Sequence, residues 1–477
     1  MASILDGLNI AKLSLSAQQY AMNVSQRNTV NANNYNYTRQ DVLFTDLTVT
    51  ENWSTSGVPG VNLSATRNRY LDQSISYGYS SLTENIVKYN ALYEIDAILQ
   101  AVSGGGLGSS IDAFFNSFTE LSSNPTDSAL RWQVLSSAQT MTEDFKRIYE
   151  SIQSVQASLN RKVEDGVNDI NTLTSKIADL NGRIEAAQKQ SQKETEYALR
   201  DERQQYIEEL TGKANFLYFE TESGSVTVTT TKGDALVLGN KSTKLVLGNM
   251  TDSHFSGIYL GNNSNPDNDI TSTITSGEIG GYLQMRDTLI PGYLKTLDNM
   301  AADIVNRVND VHSQGVYFDG AGAEQPGDNF FIFSPLTTPP ASNPNADAAR
   351  TMRVVIDDPS KIAAASVGMG VGDNGNAKKL AGIASEKSFG NNNTETIGEA
   401  YASLVYKVGS DQRTAKEAGE NQQRVLTQLL GQRDASSGVS FNEEAINLIK
   451  YQRAYQASSR IVSILNDLSI EVLNFVR

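Results

Sequence analysis

Few residues in this chain have both the type and the spacing that chemistry needs. Two histidines, His254 and His312, stand in 477 residues, and there is no cysteine. Thiolate nucleophiles, disulfides and Cys-based metal sites are thereby excluded. One histidine falls in a region of strand-like alternation and the other at a helix end, a poor ligand set, so both read as structural. Gly370, Gly372 and Gly375 match the G-x-G-x-x-G spacing that brings backbone N–H groups to a pyrophosphate. The Lys-Ile-Ala-Ala-Ala-Ser run before them belongs to no βαβ unit, and no acid is correctly placed; a loop is expected. Glu443 and Glu444 are paired carboxylates in sequence only, because adjacent helix positions do not face each other. Acids in a first helical turn favour the helix dipole, which is the role expected of them. No Gly-x-Ser-x-Gly elbow or phosphate-binding loop occurs. The 20 tyrosines fall mostly at helical spacing, which suits cores and subunit contacts better than base stacking. No catalytic, cofactor-binding or metal residue is expected.

Charge and length narrow the class. The 54 acidic and 39 basic residues give a formal charge of −15 without a Lys/Arg block, which argues against nucleic acid or anionic membrane as the main partner. The opening MASILDGLNIAKLSLSAQQYAM lacks a positive n-region and its apolar residues are interrupted every few positions, so no cleaved secretory signal is expected. No apolar run reaches the ~20 residues that span a bilayer, and no membrane insertion is expected. With 39% apolar residues the chain can build true cores, in roughly three domains on the usual length prior.

What the sequence does offer is packing surface. Near the C-terminus Tyr451, Ala454, Ser458, Ile461, Leu465, Leu468, Val472 and Phe475 recur at alternating three- and four-residue steps, the a/d seam of a coiled coil. Near the N-terminus Ile4, Leu8, Ala11, Leu15 and Met22 keep the same spacing, with Gln18 in the one polar slot. Neither stripe has a partner nearby in sequence. The two helices are therefore expected to pair with each other, and these residues are the expected assembly interface.

Between the ends, residues 23–66 are rich in Asn, Thr and Ser and read as connection with short strands such as Val61–Thr66. A helix carrying Leu71, Ile75, Leu82, Ile86, Tyr89 and Tyr93 stops at the glycines after Ser103, and a shorter one over Ile111–Leu121 stops at Asn124-Pro125. From about Asp127 helical spacing runs for more than sixty residues without proline, a rod ~90 Å long at 1.5 Å per residue. Near Thr211-Gly212 the period becomes two, with short strands expected at Phe216–Glu220, Ser225–Thr230, Ala235–Leu238, Lys244–Leu247 and Phe255–Leu260. Helical spacing returns at Leu294–Val311, a mixed Gly/Pro-rich stretch follows from Gly315 to about Asp373, and the rest is helical with a break at Ser436-Ser437-Gly438. The expected fold is α+β and multidomain: an elongated molecule with paired terminal helices, a long-helix bundle and an inserted, outward mixed β domain. The expected divisions are 1–45 with 436–477 for the terminal coiled coil; 46–212, 278–315 and 376–435 for the helical rod; and 213–277 with 316–375 for the β-rich insertion.

Four segments carry a resemblance: LDGLNIAKLSLSAQQYAMNVSQRNTVNANNYNYTRQ, LSSNPTDSALRWQVLSSAQ, GGYLQMRDTLIPGYLKTLDNMAADIVNRVNDVHSQG and SGVSFNEEAINLIKYQRAYQASSRIVSILNDL. Together they resemble the hook-associated proteins of the bacterial flagellum, in particular the first of the two junction proteins between hook and filament. The terminal segments resemble flagellar axial proteins in general, and the two internal ones point to this member. The likeness thins between about 213 and 276 and between 318 and 375. It departs from the family locally at Asn34-Tyr35-Asn36-Tyr37, where a Thr/Gly-containing turn is usual. The resemblance implies a structural subunit without cofactor or catalysis, secreted through the type III export apparatus with an export chaperone. It implies a homo-oligomeric ring on the hook, touching the hook protein on one side and the second junction protein on the other, with the terminal helices innermost. Other expectations stay open: the second junction protein, a hook or flagellin-like subunit, or an exported protein whose insertion is adhesive or enzymatic.

Overall fold

The computed structural model describes residues 2–45, 60–65, 67–100, 106–249, 255–334, 343–387, 389 and 394–475. His254 lies outside them. The organising element is α4 (Ser128–Lys189), a 62-residue helix whose length is ~93 Å. Its apolar residues at three- and four-residue steps, from Met141 through Phe145, Ile148, Ile152 and Leu159 to Ile170, Ile177 and Ile184, are all buried. Asp127 caps its start, the carboxylate accepting from the Ala129 N–H at 2.7 Å. Gly166 interrupts the stripe for a steric reason. A Cβ there would sit 2.9 Å from Ile279 Cδ1, so glycine is what lets the helix α6 (Gly277–Gln284) approach.

Helical spacing continues to Thr211, but the helix does not. The chain reverses at Gln190–Gln192, with Ser191 in the left-handed region at φ 56°, and α5 (Lys193–Lys213) returns along α4. Hydrogen bonds from Gln188 to Glu196 and from Arg203 to Asn181 fix the antiparallel arrangement. No glycine or proline marks this turn, so periodicity alone could not reveal it. Earlier in the chain, α2 (Arg69–Gln100) and α3 (Gly106–Ser123) precede α4. After α6, a π-helical turn at Met285–Leu289 leads into α7 (Ile290–His312), and later come α9 (Gly375–Gly382) and α10 (Ile397–Ser437). The last of these runs antiparallel to α2, with the Tyr401 hydroxyl donating to the Leu99 carbonyl at one end and Leu426 against Gly78 at the other. One hydrophobic cluster extends continuously from Val87 to Ala415.

The β structure is laid against this rod. Strands β3 (Leu217–Glu220), β4 (Val226–Thr229), β5 (Ala235–Leu238) and β6 (Lys241–Ser242) form an antiparallel meander, and β7 (Leu245–Asn249) pairs with β8 (Ser256–Leu260). Val226, Val228, Leu236, Val237, Leu245 and Ile258 are buried in the same cluster as the apolar face of α4. Two asparagines of α4 pin the strands: Asn181 donates to the Val226 and Gly239 carbonyls, and Asn171 donates to the Leu245 carbonyl while accepting its N–H at 2.7 Å. Arg286, fully buried in the π turn, donates to Asn160 of α4 and to the Ser256 carbonyl of β8.

Nearer the start of α4, β9 (Gly315–Phe318) pairs with β10 (Glu324–Pro326) and β13 (Ala365–Ser366), and β11 (Phe331–Ile332) with β12 (Arg353–Val354). Between β11 and β12 lies the short helix α8 (Ala348–Thr351). Arg131 of α4 holds this region by donating to the Pro359, Ser360 and Ile362 carbonyls. His312 is structural. Its Nε2 accepts the Ala363 N–H at 2.9 Å, which leaves the proton on Nδ1 to donate to the Asp328 carbonyl at 2.6 Å, and burial pushes the ring's pKa down to about 4. Gly370 and Gly372 lie in the loop between β13 and α9, and Gly375 is the first residue of α9; β13 is antiparallel to β9, and among the described residues no parallel crossover surrounds them.

Candidate assembly interface

The first and last helices, α1 (Ala2–Val30) and α11 (Phe441–Phe475), pack on each other in antiparallel sense. Three contacts set the register: Leu465 against Gly7, the Ser14 hydroxyl 2.9 Å from that of Ser458, and the Ser25 hydroxyl donating to the Glu444 carbonyl at 3.1 Å. A Cβ on Gly7 would lie 3.1 Å from Leu465 Cδ1, so the backbones approach along a track of small residues, Gly7, Ala11, Ser14, Ala21 and Ser25. Ala11, Ala17, Ala21 and Val24 are fully buried there.

On α1, Ile4, Leu8, Leu15 and Met22 flank that track half-buried, and Ala11 lies within it. On α11 the seam takes a different phase from the one spacing predicts. Tyr451, Ser458, Leu465 and Val472 lie on it, alternating with Leu448, Tyr455, Val462 and Ser469. Ala454 is half-buried beside it, whereas Ile461 and Leu468 are 51% and 44% exposed. The backbone of Phe475 is helical; its side chain is outside the described set. The large aliphatics therefore do not all turn inward. With Ile464, 59% exposed, Ile461 and Leu468 form an apolar stripe on the flank of α11, and Ile446, Ile449 and Ile470 are exposed elsewhere on the same helix. Leu5 and Leu13 of α1 are exposed as well.

A polar joint ties this helix pair to the rod. After α1 the chain makes successive turns through Asn34 and Tyr37 and enters the ribbon of β1 (Gln40–Thr45) and β2 (Gly60–Ala65). Asn28 is the centre of the turn, donating to the Gln40 carbonyl and accepting from the Tyr37 hydroxyl at 2.8 Å; burial pushes that phenol up to about 12. Arg39 donates to Glu443 at 2.7 Å and to Glu444 at 3.0 Å, and its backbone N–H donates to the Ser437 carbonyl. Glu444 is buried and also receives the Ser25 hydroxyl. The two carboxylates thus clamp the outgoing connection to the incoming one, a role beyond helix-dipole stabilisation. Their adjacency held no sign of it, since the partner is 404 residues away in sequence. Among the described residues there is no group of His, Asp and Glu able to hold a metal ion, and no helix long and apolar enough to cross a membrane.

Comparison with known proteins fits this architecture. Residues 92–331 match the model of the flagellar hook-associated protein FlgK helical domain, and residues 432–474 match that of the flagellar basal body rod FlgEFG protein C-terminal region. Flagellar hook-associated protein 1 of Bacillus subtilis is 29% identical over 99% of both chains, and that of Escherichia coli is 23% identical over 98% of this chain and 99% of its own. The solved flagellar hook junction protein FlgK of Burkholderia pseudomallei superposes with a TM-score of 0.66 at 16% identity, over 76% of this chain and all of that one; the likeness is one of fold. With the family model spanning half the chain and the curated relatives aligned end to end, the chain belongs to the flagellar hook-associated protein FlgK family.

Proposed function

We propose that the antiparallel pair of terminal helices is the surface through which copies of this chain form a ring, with the hook protein packed on one side and the second junction protein on the other. As a member of its family the chain is a structural protein of the flagellar hook–filament junction. The observation that carries the finer reading is the exposed stripe Ile461, Ile464 and Leu468 on a helix already paired along its adjacent face. A contiguous exposed apolar patch marks an interaction site, and a helix with two neighbouring apolar stripes is equipped for one partner within the chain and another outside it. In this reading the terminal body comprises 1–45 and 436–477, a division that the polar joint supports. Export through the type III apparatus with a chaperone, and a place outside the cell, belong to the same reading. It assigns the chain no reaction.

The test separates the two stripes. Ile461→Asp and Leu468→Asp place carboxylates on the flank, so the monomer keeps its helix pair by circular dichroism and hydrogen exchange, while junction assembly fails and cells do not swim. Leu465→Asp places the charge on the seam and opens the pair in the monomer itself. Normal swimming with Ile461→Asp and Leu468→Asp combined removes the reading.

A further inference from the structure

Helix α5 carries three carboxylates at seven-residue spacing, Glu194, Asp201 and Glu208, hence on one face. Each one grips a different piece of the terminal body or its connections. Glu194 pairs with Arg27 of α1. Asp201 accepts both the backbone N–H of Thr38, at 3.1 Å, and its hydroxyl, at 2.8 Å, in the segment leaving α1. Glu208 accepts from Arg433 at 2.8 Å, near the end of α10 just before the chain returns to α11. Glu194 and Asp201 thus tie α5 to α1 and to its outgoing connection, Glu208 fixes the end of α10 from which α11 departs, Tyr197 of α5 donates to the Leu63 carbonyl of β2 at 3.1 Å, and Arg39 with its clamp on Glu443 and Glu444 joins the two connections to each other.

We propose that α5 is a clasp, its acidic stripe holding both connections of the terminal helix pair to the rod, and that its release frees the pair to move as one body with the rod intact. The internal ties of the pair, Ser14 to Ser458, Ser25 to Glu444 and Arg39 to Glu443, do not involve α5. Releasing the stripe therefore leaves the pair whole. The proposal goes beyond ring formation, since it concerns the isolated chain.

The electrostatics give the clasp a direction. Asp201, mostly buried, faces Arg67, Asp72 of α2, Tyr37 of the turn and Thr38, in a cavity it shares with Arg69, Arg200, Arg203, Tyr218 and Glu220. Burial outweighs the Arg67 charge and pushes its pKa up to about 6. Glu208 is raised too, chiefly by burial, against the pull of Arg433. Glu194 moves the other way, held below the usual range by its hydrogen bond to Arg27. For Asp201 the closed state binds the proton more tightly than an open state with a solvated carboxylate near 3.9. Closure is therefore favoured at low pH and loses that advantage as pH rises through about 6.

The chain has no cysteine, so nitroxide labels introduced by Gln205→Cys on α5 and Ser459→Cys on α11, both exposed, report one distance. The expected result at pH 5 is a single narrow distribution, with a longer second population growing toward pH 8. Asp201→Asn, which cannot ionise, abolishes that growth. Asp201→Ala and Glu208→Ala show the longer population already at pH 5, with helical content unchanged by circular dichroism. Should Asp201→Ala fail to fold, Thr38→Val, which removes only the hydroxyl donor, carries the same expectation. A single unchanged distance in Glu208→Ala and in either Asp201→Ala or Thr38→Val overturns the clasp, and an unchanged distance from pH 5 to pH 8 in the parent chain overturns its pH direction.

Discussion

His312 and Asp298 show how single buried side chains hold the molecule together. Asp298 of α7 is fully buried, accepting from Asn343 at 2.9 Å and from the Ala349 N–H at 3.1 Å, and burial pushes it up to about 6. His312 is fully buried with its ring held neutral. The two act oppositely on stability. The folded pKa of His312 lies below that of the unfolded chain, so its contribution is complete above pH ~6.5 and is lost toward pH 4, on the order of 3 kcal/mol by linkage. Asp298 and Asp201 have folded values above the unfolded ones, so their contributions are complete below pH ~3.9 and decline as pH rises through about 6. In the parent chain the histidine slope offsets about half of the slope of the two carboxylates between pH 4 and 6. In His312→Gln the opposing histidine slope is gone, so urea denaturation should show that variant gaining stability on acidification from pH 6.5 to 4 more steeply than the parent does. At pH 7 it should be less stable than the parent by about 1–3 kcal/mol, because the Ala363 N–H or the Asp328 carbonyl loses its partner. A histidine at a helix end was legible as structural from its isolation in sequence. Its partners were not, since they are backbone groups 16 and 51 residues further on.

At the scale of elements, periodicity located what it could and misplaced what depends on a neighbour's shape. The strand expected at Ala235–Leu238 forms there, and the helix expected from Asp127 starts at Ser128 with Asp127 as its cap. The seam of α11 is a different matter. Both the 451-454-458-461 series and the 451-455-458-462 series alternate three and four, and both are largely apolar, so spacing cannot choose between them. The choice is made by α1, whose small residues admit closest approach along one line. Gly7 is its sharpest point. Gly7→Leu should force Leu465 aside and destabilise the pair by about 1–3 kcal/mol through overpacking, although leucine has the better helix propensity. Hydrogen exchange should then rise over residues 2–30 and 441–475 while α4 stays protected. The turn at Gln190–Gln192 was illegible for another reason: Lys, Gln and Ser are tolerated both in a helix and in a reversal, and the apolar faces of α4 and α5 decide.

Across the whole molecule the β strands of 217–260 are part of the rod's packing. Their buried valines, leucines and isoleucine close over the face of α4 that carries Asn171 and Asn181. Replacing residues 217–260 by a short Gly/Ser linker should therefore lower the stability of the rod substantially, given about 1.5–3 kcal/mol for each fully buried aliphatic side chain. The measurement is the denaturation midpoint of the shortened chain, and an unchanged midpoint would refute the shared core. The resemblance thins in this stretch, so its composition and period carried the fold class but gave no view of which surface the strands would cover.

The contact between Ser14 and Ser458 spans 444 positions of sequence. Closing so large a loop is entropically costly, and the pairs that require it form late in folding. While the rest of the chain condenses around α4 through far more local contacts, α1 stays without its mate until α11 has been delivered. The meeting of the two ends is then expected to come late in folding. A chain lacking either end is expected to finish its rod yet leave the remaining terminal helix single.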